Sequence, residues 1–260
     1  MKKIVIVSGS GRKKGNTMKI VSAIQEKLGS KEFEFDTIFL YDHTIHGCIG
    51  CKACTLKHET ACPFKDDVFG IMEQLKGADG LIFASPVYSR MVTGQLKQFI
   101  DRTNYVLHRP SLIGIPTLLV ATTDIGMAKK VTDYMAVIAS SMGARVEGAL
   151  HIKVGKMKND AKYKLRVDKD IESMSQVFKK SILEGKEQAP SFKQLVRFNF
   201  WRKRAMISKE KNSVDFDYWN QRGWIEEDFF YEIRSPKLKL MILGLLLKIM
   251  EKKIRQGVLY

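Results

Sequence analysis

Apolar runs alternate with apolar stripes along the first 185 residues of the chain. Ile4–Ser8 is a short apolar run ending in a glycine-rich turn, the pattern of a strand buried on both faces. From Asn16 to Leu28 the apolar residues Met18, Ile20, Val21, Ile24 and Leu28 recur at helical spacing. Phe33–Leu40 alternates through Phe33, Phe35, Thr37 and Phe39 and reads as a second strand. Val68–Leu75 has a helical pattern, and Gly80–Ala84 is another buried strand. Val92–Tyr105 reads as a helix with Leu96, Phe99 and Ile100 facing inward. Pro116–Ala121, Ala128–Met142 and Arg145–His151 follow as strand, helix and strand. This rhythm predicts an α/β fold whose parallel sheet is covered on both faces. The ligand site of such a sheet lies beyond the carboxyl ends of its strands. Asn159–Leu183 is a polar helical stretch that closes the domain. Glu184–Ser191, with Gly185 and Pro190, is the linker. The expected organisation is one domain over 1–185, with a cysteine loop at 48–62, and an extension over 191–260.

Composition changes this picture little, but charge does. Of 260 residues, 45% are hydrophobic and 28% charged, which is ordinary for a globular protein. The 44 Lys and Arg exceed the 28 Asp and Glu and leave a net charge of +16. A surface so basic favours anionic partners: phosphates, nucleic acid or an acidic membrane face. Met1-Lys2-Lys3 is followed by five apolar or small residues, too few for a signal peptide's apolar region. No run reaches the roughly 18 apolar residues of a spanning helix. The expectation is a cytoplasmic protein.

Three loops carry candidate chemistry. The first runs from Ser8 through Gly9, Ser10, Gly11, Arg12, Lys13, Lys14 and Gly15 to Asn16 and Thr17, opening onto a helix. A helix N-terminus offers unpaired N–H groups and a positive dipole end, which suit a phosphate. Gly15 comes one residue too late for a dinucleotide fingerprint, and Gly15-Asn16-Thr17 lacks the lysine of a P-loop. A flavin monophosphate loop held by Ser10, Arg12, Gly15, Asn16 and Thr17 remains. So does an ordinary turn with Asn16 or Thr17 as helix cap. The second loop is Ser85-Pro86-Val87-Tyr88, where Pro86 stiffens the chain. There the amides of Val87 and Tyr88 are candidates to face a flavin edge, with the Tyr88 ring packing on it; the plainer reading is a turn and a packed ring. The third is Ala121–Met127, with Thr122, Thr123 and Gly126 as candidates. The first loop and the segment from Asp79 through Ser85-Pro86-Val87-Tyr88 to Leu96-Lys97-Gln98-Phe99-Ile100-Asp101-Arg102 resemble the NADPH-dependent FMN reductase and flavodoxin-like superfamily. That resemblance implies a flavodoxin-like, doubly wound, five-stranded sheet of order 2-1-3-4-5, FMN touching the Ser-Pro-x-Tyr loop, and the third loop bordering the flavin ring. Lys97, Asp101 and Arg102 read as architectural, an Asp–Arg pair at a helix end being commonly structural.

Cys48, Cys51 and Cys54 are spaced by two residues each, and Cys62-Pro63 follows after seven more. Two-residue gaps let thiolates converge on one centre, as in the ferredoxin pattern for a [4Fe–4S] cluster, although the last gap here is longer. A structural zinc site and a loop without metal are the alternatives. His43, His46 and His58 read as solvated loop histidines. The compact motif after strand two, followed by Asp66-Asp67, resembles the iron–sulfur flavoproteins. This resemblance implies FMN, one [4Fe–4S] cluster on Cys48, Cys51, Cys54 and Cys62, and a homo-oligomer, dimer or tetramer, in which cluster and flavin of neighbouring subunits approach. The expected activity is electron transfer between cluster and FMN. No residue constellation competes with the flavin for catalysis, so no catalytic side chain is assigned. NAD(P)H or an acidic, ferredoxin-like protein is the expected electron donor. The rival reading is an NAD(P)H-dependent FMN or quinone reductase without a cluster, and a further one is a non-enzymatic shuttle.

The C-terminal extension is basic and aromatic: Phe198, Phe200 and Trp201 lie among Lys193, Arg197, Arg202, Lys203 and Arg204, before Tyr218, Trp219, Trp224, Phe229, Phe230 and Tyr231. It is expected to be mostly helical, serving as a lid, a subunit contact or a docking surface. Leu240–Leu247 is an apolar run flanked by Arg234, Lys237, Lys239, Lys248, Lys252, Lys253 and Arg255. It suits either a helix packed on protein or one lying on an anionic membrane surface. No nucleic-acid-binding signature accompanies the charge, so nucleic acid is not expected as a partner.

Overall fold

Ile4, Val5, Ile6 and Val7 are fully buried, which places the first strand, β1 (Lys2–Ser8), inside the sheet rather than at its edge. The computed structural model describes residues 1–185, 187–209 and 214–233. Five strands form its sheet in the order β2-β1-β3-β4-β5, every neighbouring pair parallel. They are β1, β2 (Phe33–Phe39), β3 (Gly80–Pro86), β4 (Pro116–Thr123) and β5 (Arg145–Lys153). Parallel pairing requires crossovers, and helices supply them: α1 (Asn16–Leu28) after β1, α3 (Val68–Lys76) after β2, α4 (Gly94–Arg102) and α5 (Tyr105–His108) after β3, and α6 (Ala128–Ser141) after β4. The sequence expectation of a doubly wound, flavodoxin-like sheet is met in order and direction.

Side chains alternate across the sheet. On one face Ile4, Ile6, Ile82, Ala84, Leu118, Val120, Leu150 and Ile152 pack with α1 and with α8 (Ala161–Glu184). Phe83, on the other, lines a small apolar space with Leu96, Phe99, Met135 and Met142 from α4 to α6. Two predicted helices are divided. The Val92–Tyr105 stretch becomes α4 and α5, because Thr93 caps α4 by accepting from the Leu96 amide, and the Thr103 hydroxyl turns back to Phe99 and Ile100 carbonyls. The Asn159–Leu183 stretch starts afresh at α8, where Asp160 accepts from the Tyr163 amide, after a short α7 (Val154–Asn159).

Contacts sort the chain into two units. The first holds the sheet: Met1–Ile49, Phe64–Leu107 and Ser111–Lys186. The second holds Gly50–Pro63, His108–Pro110 and the described residues from Glu187 on. It contains α2 (Ala53–Leu56), α9 (Phe192–Ser208) and α10 (Val214–Gln221). Its core is aromatic: Trp219, Phe198, Phe229 and Trp224 are buried, and the Phe198 ring meets Trp219, Phe229 and Phe230 at 4.8–5.5 Å. The helical extension expected from composition is present over its described part; Leu240–Leu247 lies outside the described residues. Among the described residues no helix is long and apolar enough to cross a membrane.

Candidate functional site

The carboxyl ends of β1, β3 and β4 bring three loops of the first unit together. In the loop after β1, the buried Ser10 hydroxyl accepts from the Arg12 amide at 3.2 Å, and the Gly15 amide donates to the Arg12 carbonyl at 2.9 Å. Arg12 and Lys14 are exposed, while Lys13 pairs with Asp42 at 2.6 Å. The residue capping α1 is Gly15, not Asn16 or Thr17; no side chain fills the cap and no acid stands in the first turn. The first intrahelical bond runs from Lys19 N–H to Gly15, so the amides of the residues before it keep the donor capacity of a helix start. The Thr17 hydroxyl turns inward instead. It shares a hydrogen bond of 2.6 Å with Thr122 of β4, both residues being buried. That bond ties the first loop to the third.

After β3, Ser85 is buried, donating to the Pro86 carbonyl at 2.8 Å and accepting from Thr93 N–H at 3.3 Å. The amides expected to face a ligand are spent on the protein: Val87 N–H donates to the Thr122 carbonyl at 2.8 Å and Tyr88 N–H to Met91 at 3.0 Å. Val87 extends the pairing of β3 with β4, and Tyr88 closes a tight turn, Tyr88–Met91, whose central residues Ser89 and Arg90 have φ of 47° and 69°. What the turn presents is the Tyr88 ring, 45% exposed and so not simply packed away. After β4 the Thr123 hydroxyl accepts from the amides of Ile125 and Gly126. This turn leaves Ile125 88% exposed, and Met127, in the left-handed region at φ 71°, is exposed beside it in sequence. Tyr41, packed against Gly11, is exposed as well. Tyr41, Ile125 and Met127 are apolar rim residues that sequence reasoning missed. Their signal was large apolar side chains in loops at strand ends, where burial is not available.

The cysteine loop is anchored at both of its levels by a buried arginine. In the first unit, Arg102 and Asp66 have side-chain exposures of 2% and 0% and pair at 2.5 Å and 3.1 Å. Arg102 also donates to the His46 carbonyl at 3.1 Å and lies over the Phe64 ring. The His46 amide donates to Asp66 at 2.9 Å, and Asp67 exchanges two bonds with Thr44. Residues 44–46 and 64–67 are thereby zipped into a stem. Burial alone would raise the Asp66 carboxyl; hydrogen bonds from Arg102 and His46 outweigh it and hold the group below its ordinary value. One expectation is corrected here. The partner of Arg102 is Asp66, because Asp101 takes Lys97 at 2.6 and 2.7 Å. The loop histidines are solvent-accessible and also bonded: His46 to Asp66 and stacked on Phe64, His43 near Asp67 at 3.4 Å, His58 accepting from Thr60 N–H.

In the second unit, Arg109 donates to Asp215 at 2.8 Å, to Glu59 at 3.3 Å and to the Cys54 carbonyl. Tyr218 donates to the Pro110 carbonyl, and burial pushes its phenol up to about 12, which keeps it a donor. Cys51, Cys54 and Cys62 belong to this unit and Cys48 to the first; Cys48 and Cys51 are exposed, Cys54 and Cys62 half-buried. Among the described residues no three His, Cys, Asp or Glu side chains are gathered as metal ligands.

Residues 2–156 match the model of the NADPH-dependent FMN reductase family. The chain belongs to that family. Among curated members it is similar to an iron–sulfur flavoprotein of Methanocaldococcus jannaschii, 40% identical over 43% of this chain and 54% of that one. An iron–sulfur flavoprotein of Archaeoglobus fulgidus is 34% identical over 54% of this chain and 64% of its own. The matched part therefore spans little more than half the length of these relatives. An iron–sulfur flavoprotein of Clostridioides difficile is 29% identical over a longer stretch, 75% of this chain and 85% of that one. Among solved structures, that of RosB with bound 8-demethyl-8-formylriboflavin-5'-phosphate aligns over 91% of this chain and 92% of its own, with a TM-score of 0.57 at 14% identity. An oxidoreductase of Corynebacterium diphtheriae aligns over 71% and 98%, with a TM-score of 0.52 at 20% identity. Both establish the fold. The family's FMN fits the groups at the strand ends: the Ser10 hydroxyl and an uncapped helix start for a phosphate, and exposed apolar side chains for a flat ring.

Proposed function

We propose that the chain is an FMN-dependent electron-transfer oxidoreductase of the iron–sulfur flavoprotein type, with a [4Fe–4S] cluster on Cys48, Cys51, Cys54 and Cys62. The observation that carries the flavin site is the Thr17–Thr122 hydroxyl bond of 2.6 Å, which joins the phosphate loop to the ring loop. In this reading the Ser10 hydroxyl and the amides of Asn16 and Thr17 receive the phosphate, Gly15 lets it approach the helix start, and Arg12 offsets its charge. Ser85, Pro86 and Val87 set the wall, Tyr88 offers a ring, and Thr122, Thr123 and Gly126 close the far side. Bound FMN takes up one or two electrons, which suits a link between one-electron and two-electron carriers. The protein's own part is to hold the ring on an apolar rim and to keep positive charge near the phosphate. The cluster rests on the cysteine spacing and on the names of the relatives. Chemically, four thiols in one short loop are the donors such a cluster requires. NAD(P)H or an acidic ferredoxin-like protein serves as donor, and the protein works as a cytoplasmic homo-oligomer.

The test is an anaerobic absorption spectrum with iron and acid-labile sulfide assayed on the same sample. Flavin bands with a broad visible shoulder and about four irons per chain are expected. One observation favours a second reading: no three ligands are gathered among the described residues. Flavin bands without iron in strictly anaerobic material, together with rapid bleaching by NADPH, would replace the proposal with a cluster-free FMN or quinone reductase.

A further inference from the structure

The second unit has a feature that flavin binding does not require. Arg109 follows α5 and its side chain is only 4% exposed. Its guanidinium reaches three groups: the carboxylate of Asp215 on α10, the carboxylate of Glu59 just before Cys62, and the carbonyl of Cys54 on α2. The other oxygen of Asp215 meets the His108 ring at 3.0 Å. From the same helix face, Trp219 donates to the His108 carbonyl at 2.8 Å and Tyr218 to the Pro110 carbonyl at 2.6 Å. Positions 215, 218 and 219 are neighbours on a helix surface, so one face of α10 grips the segment that presents Arg109. Of the described aromatic residues of the extension, Phe198, Trp219, Trp224 and Phe229 are buried and the others half-buried. Among the described residues of this unit, Leu56 and Met206 are its exposed large hydrophobics. A docking surface would leave aromatic rings outside; a support for the loop would bury them.

We propose that the C-terminal segment is a brace for the cysteine loop, with Asp215 as the positioning residue that acts through Arg109 on residues 54–59. The proposal deepens the cluster reading by naming what holds the ligand loop in shape, yet its geometry involves protein atoms alone. A loop ordered in advance loses less entropy when thiolates are drawn to a common centre.

Hydrogen exchange on the full-length, iron-free protein tests it, comparing wild type with Asp215→Asn. Asp217→Asn, on the exposed side of α10, is the control. Amides of residues 53–62 should exchange about tenfold faster in Asp215→Asn, the size of losing one charge-assisted hydrogen bond. The thiols of Cys54 and Cys62 should alkylate faster in step, β1–β4 should be unaffected, and Asp215→Glu should restore most of the protection. Unchanged exchange at 53–62, with the aromatic near-ultraviolet dichroism intact, overturns the brace; an equal effect from Asp217→Asn does so too. If Asp215→Asn abolishes the aromatic signal, Glu59→Gln is read in its place, because it cuts a loop-side contact and leaves α10 untouched. Acceleration confined to 53–62 then supports the brace, and its absence overturns it. Iron in anaerobically purified wild type reports on the cluster separately. An iron-free protein with a protected loop refutes the cluster and leaves the brace standing.

Discussion

Asp66 shows how much one side chain decides. It sits with no solvent exposure against Arg102, and it accepts from the His46 amide as well. Removing one partner of such a pair strands the other charge in the interior. Asp66→Ala should therefore cost about 3–5 kcal/mol in urea unfolding at neutral pH. Asp66→Asn, which keeps the shape, should cost less. The pH dependence has a definite sign. Because the folded carboxyl lies below its ordinary value, its contribution is complete above the unfolded value of about 3.9. It is lost as pH falls through the folded value. The stability difference between wild type and Asp66→Asn should accordingly be constant from neutral pH down to the unfolded value and shrink below it. A difference that stays constant down to the acid limit would mean that the Arg102 pair does not hold the charge. At this scale the sequence was partly legible. Asp66-Asp67 was visible beside the cysteines, but Arg102 was matched with the wrong aspartate, since adjacency in a helix says nothing of a loop folded back from 36 residues away.

At the scale of elements, close packing at β1 and β5 makes opposite predictions for two glycines. A Cβ on Gly9 would lie 2.8 Å from Thr93 Oγ1 and 2.9 Å from Leu96 Cβ, atoms fixed to the start of α4. Gly9→Ala should push α4 away from the β1 turn and destabilise by about 1–3 kcal/mol. A Cβ on Gly148 would meet the Met174 sulfur at 2.5 Å, but that is the far end of a flexible side chain. Gly148→Ala should thus cost less than about 1 kcal/mol, since Met adapts readily. Thermal unfolding of the two variants checks the contrast, and equal losses would contradict it. Elements themselves were the most legible level. Asn16–Leu28 agrees with the predicted helix at both ends, because its apolar spacing and its flanking glycines act within a few residues. The break between α4 and α5 was not legible, since it depends on a hydroxyl returning to the helix's own carbonyls.

For the whole molecule, a net charge of +16 should act on rates more than on fold. Reduction by a small acidic ferredoxin should slow about tenfold between 10 and 200 mM salt, as charges separated by more than a Debye length are screened. Stopped-flow flavin bleaching measures this, and a rate indifferent to salt would remove electrostatic steering from the account. By itself the sequence determined the sheet, its order through family resemblance, the three strand-end loops and the family, because periodicity and short motifs are local and each strand end automatically becomes part of the site. Tertiary structure alone decided that the Val87 and Tyr88 amides are spent within the protein, that Thr17 turns inward to Thr122, and that the cysteine segment 50–63 groups with the C-terminal helices. Those outcomes depend on which distant donors and acceptors meet once water is excluded, and partners 107 positions apart, as His108 and Asp215 are, leave no local signal in the chain.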